Sequence, residues 1–158
     1  MMITMPPIKL DELQRDLLIP QIDAFLAAAP DEIARAPYAA LRAAIASLEV
    51  PDDLADRMGS LIEVLLTSGR IRHGHGPGAE LALWALFQQT PRGRDLIGSV
   101  DGVNAVLKRL IGQPLEFVSA VARGPGAYAL TLRTRELQMV LRFEATGVRI
   151  ESVDVGSE

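Results

Sequence analysis

The segment 114–155 constrains the fold most, because its apolar side chains alternate along consecutive runs. Side chains of a β-strand return to one face every second residue, so this alternation predicts strands with one apolar face. A two-residue turn at Arg135-Glu136 brings the two clearest runs together. It pairs six apolar residues on one face: Leu132 with Met139, Leu130 with Leu141, and Tyr128 with Phe143. We therefore expect a four-stranded antiparallel meander whose apolar face is buried.

The turns on either side of this hairpin complete the meander. Thr146-Gly147 suits a tight turn before the last strand. That turn predicts three further cross-strand pairs: Ile150 with Phe143, Arg142 with Glu151, and Glu144 with Arg149. Opposite charges that face each other across strands are mildly favourable, which supports this register. Gly124-Pro125-Gly126 closes the first hairpin, whose register stays open because small residues occur on both faces of the preceding run.

The residues before the meander, about 9–112, carry helical periodicity. We expect about six helices, two of which begin at Thr90-Pro91 and at Asp101. Pro20 should kink or interrupt the first helix, since proline lacks the N–H donor of a helix interior. The helix 79–89 is apolar on all sides, which predicts burial on most of them. The class is therefore α+β: a helical N-terminal two-thirds packed on the C-terminal meander, in a single domain of residues 1–158.

Composition limits the classes of partner. The chain has 158 residues and a formal net charge of -4, which argues against nucleic acid as a partner. It contains no cysteine, so disulfides, thiolate metal sites and cysteine nucleophiles are excluded. We see no signal peptide and no apolar run long enough to span a bilayer, and we expect a cytoplasmic protein without a membrane partner.

Both histidines of the chain lie in the glycine-rich segment 70–78, which we interpret as a loop. His73 and His75, with Glu80 as a third ligand, form a candidate metal site, and Arg72 joins them in a candidate ligand site. The spacing matches no established zinc motif. A surface connection that begins a helix at Pro77 explains the same residues.

The first strand of the meander forms an edge of the predicted sheet and carries no charge between Glu116 and Arg123. An uncharged edge is a template for another strand. We therefore predict a homodimer interface at four residues: Phe117, Val118, Ala120 and Val121. Coverage of this edge by the N-terminal segment 2–7 is the competing account, although two prolines make that segment a poor strand.

No arrangement of residues indicates a reaction. A nucleophile elbow is absent, and no carboxylate lies in a run apolar enough to shift its pKa. We expect a non-enzymatic binding or protein-interaction module without a cofactor. Two alternatives stay open. One is a small metal-dependent hydrolase or other enzyme centred on His73 and His75. The other is a carrier that holds an apolar small molecule between sheet and helices.

Overall fold

The computed structural model describes residues 3–156 and confirms the α+β class. Six helices precede a four-stranded antiparallel sheet with the strand order β3-β4-β5-β6. The helices are α1 (Glu12–Ala28), α2 (Glu32–Ala46), α3 (Asp52–Thr67), α4 (Arg70–His75), α5 (Pro77–Phe87) and α6 (Pro91–Leu107), followed by a 3₁₀ turn (Lys108–Leu110). The strands are β1 (Ile8–Lys9), β2 (Glu49–Val50), β3 (Phe117–Gly124), β4 (Ala127–Arg133), β5 (Leu137–Glu144) and β6 (Gly147–Val155).

The chain divides into two compact units, Met1–Arg94 and Asp95–Glu158, and the boundary falls inside α6. The expected single-domain organisation stays a prediction. No helix within residues 3–156 is both long enough and apolar enough to cross a membrane.

The first helix of the N-terminal unit runs through Pro20 to Ala28, so of the two outcomes expected at Pro20, a kink or an interruption, the interruption is wrong. Pro20 is exposed, and water can reach the carbonyl that loses its helical donor there. A capping box starts the helix: Asp11 Oδ1 accepts from the Gln14 N–H at 2.7 Å, and Gln14 Oε1 accepts from the Asp11 N–H at 3.0 Å. Gln14 Nε2 also donates to the Ala82 carbonyl at 2.9 Å, which links α1 to α5.

The segment expected to be helical also contains two short strands. β1 pairs with β2 in an antiparallel register that places Ile8 opposite Val50. Leu48 enters β2 with φ 63°, a left-handed conformation that non-glycine residues seldom adopt. A two-residue strand is too short to show periodicity, which is why the sequence pattern did not predict this pairing.

Helix α5 is buried on one side only, so the prediction of burial on most sides is wrong. Ala79, Leu83, Leu86 and Phe87 are buried, whereas Leu81 is two-thirds exposed. Leucine at such a position is ordinary, because much of a folded protein's surface is apolar.

In the second unit, residues 95–107 of α6 and the 3₁₀ turn lie along β5 and β6. The predicted helix start at Asp101 is wrong, since α6 is continuous from Pro91. Ser99 contacts the start of β6, where its Oγ accepts from the Val148 N–H at 3.4 Å. The core between helix and sheet comprises Val103, Leu132, Leu137, Met139, Leu141 and Val148, with Val106, Leu107, Leu110, Leu130, Ile150 and Val153 packed around them.

The predicted register of the central hairpin is confirmed in all three pairs: Tyr128 with Phe143, Leu130 with Leu141, and Leu132 with Met139. Neither turn residue has a positive φ. Thr134 stabilises the turn instead, because its buried hydroxyl oxygen accepts from the Leu137 N–H at 3.0 Å. The same hydroxyl donates to Gln113 Oε1 at 2.7 Å.

The predicted register of the last hairpin is wrong by two residues near its turn. Glu144 faces Gly147, so Ala145-Thr146 forms the loop. Gly147 lies against α6, where a Cβ would be 2.7 Å from Ser99 Oγ, so this strand position has no room for a larger side chain. Observed pairs are Phe143 with Val148, Arg142 with Arg149, and Leu141 with Ile150, followed by a bulge at Glu151. A two-residue shift preserves the faces, so Ile150 still lies on the apolar side.

Candidate functional site

Helix α6 and the 3₁₀ turn cover only part of the apolar sheet face. Leu132, Met139 and Leu141 are buried beneath them. Tyr128 and Phe143 remain 55% and 40% exposed at the other end of the same face. The predicted burial of these two aromatic residues is therefore wrong, because the alternation assigns a face but not the extent of the element that covers it.

Strand β3 is the edge strand next to this uncovered area. Among residues 3–156, β3 pairs with β4 alone, so the backbone N–H and C=O groups on its other side have no strand partner there. All four residues of the predicted interface are exposed, and the fractions for Phe117, Val118 and Val121 are 44%, 55% and 46%. Sequence reasoning thus placed the four residues on an exposed sheet edge, and their role as an interface stays a prediction.

Both faces of β3 carry exposed apolar side chains. Val118 and Ala120 lie on the helix-bearing face, opposite Leu132 and Leu130 of β4. The other face, which we call the outer face, carries Phe117 and Val121. The Arg133 guanidinium lies over the Phe117 ring at 5.2 Å from its centroid, which is within range of a cation–π interaction.

Strand β6, at the opposite edge, carries charge. Arg149 lies 3.5 Å from Glu144, whose carboxylate also contacts Arg142 at 2.6 Å. The bulge at Glu151 twists this edge further away from a regular template. Charges and bulges are the usual protection of an edge strand. β3 has its own bulge only at Arg123, next to the turn, so residues 117–122 form a regular, uncharged edge.

The N-terminal segment occupies the first unit. Ile8 and Lys9 pair with β2, at the start of the part of the chain that the structure describes. Residues 4–7 line two grooves of about 380 and 220 Å³ with side chains such as Glu49, Asp52 and Arg94. The described residues 4–7 therefore contact their own unit, and the competing account, in which the segment 2–7 covers the β3 edge, stays a prediction; Met2 lies outside the described residues.

The histidine segment is helical rather than a loop. Arg70–His75 forms α4, and Gly76, with φ 86°, connects it to α5. His73 Nδ1 lies 2.7 Å from the Gly69 carbonyl oxygen, and both histidines are exposed. Local helix formation is possible here because Gly69, with φ 71°, ends α3 and starts the next turn.

Two of the predicted ligand residues meet. Arg72 Nη1 lies 4.0 Å from Glu80 Oε1, a distance typical of a weak surface ion pair. Among residues 3–156, no group of three or more histidine, aspartate or glutamate side chains is placed to hold a metal ion. The metal site at His73, His75 and Glu80 stays a prediction, for which the described residues supply no complete ligand set.

The other ion pairs near the helices join side chains that are exposed to solvent. Arg42 on α2 donates hydrogen bonds to Asp23 on α1 and thereby lowers the pKa of that exposed carboxyl. Arg92 contacts Glu63 at 2.9 Å and Asp56 at 3.3 Å. These ion pairs connect neighbouring helices and do not form a binding site. The exposed edge of β3 is therefore the strongest candidate for a functional site.

No family model matches the chain, and neither a curated protein nor a solved structure matches it.

Proposed function

We propose that this protein is a non-enzymatic, cytoplasmic protein-interaction module that forms a homodimer through the β3 edge. One observation carries the proposal: β3 is a regular, unprotected edge strand with exposed apolar side chains on both faces. Such an edge offers backbone donors and acceptors to a second strand, and its side chains supply apolar area for burial.

A second copy of the chain is the partner that the two edges favour. β6 is charged and bulged, whereas β3 is apolar, so the sheet has one edge suited to pairing. Pairing identical edges around a two-fold axis closes the assembly at two subunits and leaves both β6 strands outside. A self-complementary contact of this kind needs no further component.

We expect the wild-type protein to be a dimer in sedimentation equilibrium at tens of micromolar protein. The double substitution Val118→Lys and Ala120→Lys should yield a monomer. At the paired edge, the two lysine side chains of one subunit would lie against the same two lysines of the partner subunit, and the like charges repel. Val155→Lys is the matched control, since Val155 is an exposed apolar residue on the opposite edge of the same sheet. That variant should remain a dimer.

Two outcomes would contradict the proposal. A wild-type monomer at these concentrations excludes a stable dimer. A dimer that persists in the double variant contradicts a contact at β3. The contact then lies elsewhere: on β6 if the Val155→Lys control becomes a monomer, and otherwise on the alanine-rich stretch 39–46 of α2. Circular dichroism of each variant shows whether the fold is retained, so that loss of the dimer is not confused with unfolding.

The two alternatives from the sequence have less support. The enzyme hypothesis depends on His73 and His75, which are exposed and lack a complete ligand set among the described residues. The carrier hypothesis needs space between sheet and helix, where Met139 and Leu141 are instead packed against Val103 and its neighbours.

A further inference from the structure

The symmetry of a β3–β3 dimer restricts how the two strands can align. Residues directly opposite each other in an antiparallel pair point to the same face of the sheet. A two-fold axis perpendicular to the sheet keeps the helix-bearing faces of both subunits on one side. Each residue must therefore oppose a residue of the same face, and one residue of β3 lies on the axis opposite its own copy.

Three residues near the middle of the exposed run are candidates for the axis: Val118, Ser119 and Ala120. With Val118 on the axis, Phe117 faces a serine, and Glu116 faces an alanine. With Ala120 on the axis, Val121 faces a serine, and Phe117 approaches the bulged Arg123. Neither register brings Phe117 and Val121, the two large apolar residues of the outer face, opposite each other.

With Ser119 on the axis, the large residues of the outer face meet. Phe117 then lies opposite Val121 of the partner subunit, and symmetry repeats this pair. Val118 lies opposite Ala120 of the partner subunit on the other face, also twice. Pairs of an aromatic with a β-branched residue are among the favourable cross-strand combinations. All four side chains are exposed in the single chain, so each is available for this contact.

We infer that the dimer pairs β3 with β3 in the register centred on Ser119, which creates a continuous eight-stranded sheet. This inference rests on the proposed homodimer and specifies its geometry. In that sheet the two α6 helices lie apart on one face. Between the two helices, the uncovered apolar area around Val118 and Tyr128 of one subunit lies next to the same area of the partner subunit.

Disulfide trapping tests the register, because the chain has no cysteine of its own. Ser119→Cys should form a disulfide-linked dimer under mild oxidation, roughly tenfold faster than Val118→Cys or Ala120→Cys. The reason is that only the residue on the axis has its Cβ close to its own copy, as disulfide geometry requires. Faster linkage of either neighbouring cysteine variant would overturn the Ser119 register.

A charge exchange provides a second, independent readout. Phe117→Glu and Val121→Lys should each weaken the dimer, and the double variant should restore it, since residue 117 then faces residue 121 of opposite charge. The two positions are four residues apart on one strand, so they cannot compensate within one subunit. Absence of rescue contradicts the register. Sedimentation of the reduced Ser119→Cys variant separates the two proposals, because a monomer there contradicts the homodimer itself.

Discussion

Gly93→Ala should destabilise the protein by about 3 kcal/mol or more, at or above the upper end of the usual cost of overpacking. Gly93 lies in the first turn of α6, where its N–H donates to the Thr90 hydroxyl oxygen at 3.2 Å. A Cβ at this position would be 1.9 Å from the Phe87 carbonyl oxygen and 2.8 Å from the Gln88 Cα. Both obstacles are backbone atoms at the end of α5, so no change of rotamer removes the clash.

Gly98→Ala is the matched control, because it makes the same substitution in the same helix. Gly98 is exposed, and its added methyl group would meet nothing within 4 Å. It should therefore stabilise the protein by about 0.5–1 kcal/mol through helix propensity alone. Urea unfolding followed by circular dichroism measures both changes. Equal effects of the two substitutions would show that Gly93 does not lie against the Phe87 carbonyl at the end of α5.

Leu141→Ala should cost about 2–5 kcal/mol, the range for removal of a buried leucine side chain. Leu141 is 1% exposed and lies between Leu130 and Ile150 on the helix-bearing face. The methyl groups removed leave a cavity that the flanking strands cannot fill without breaking their hydrogen-bond register. Hydrogen exchange of the backbone amides of β4 to β6 measures this decrease in the free energy of unfolding within the second unit.

Leu81→Ala serves as the comparison for Leu141→Ala, since Leu81 is exposed on α5. Its unfolding free energy should change by less than about 0.5 kcal/mol, as for most surface substitutions. If Leu141→Ala lost less than about 1 kcal/mol, the helix-bearing face would not be the core of the second unit.

The sequence by itself determined the central hairpin. Strict alternation in β4 and β5 leaves one choice of face, and the two-residue turn after Thr134 then leaves one register. The exposed β3 edge also follows from strand order and the lack of charge between Glu116 and Arg123. These features depend on residues near each other in the chain, so their pattern can be read directly.

Only the tertiary structure decided how much of the apolar sheet face is covered by α6 and the 3₁₀ turn. The position of α6 leaves Tyr128 and Phe143 exposed, and Gly147, where a Cβ would be 2.7 Å from Ser99 Oγ, belongs to β6 and not to the turn. The structure also shows that α6 continues through Asp101, where the sequence equally allows a capped helix start. Burial and register at these positions are set by contacts between residues distant in the chain, and hydrophobic periodicity carries no information about which element supplies them.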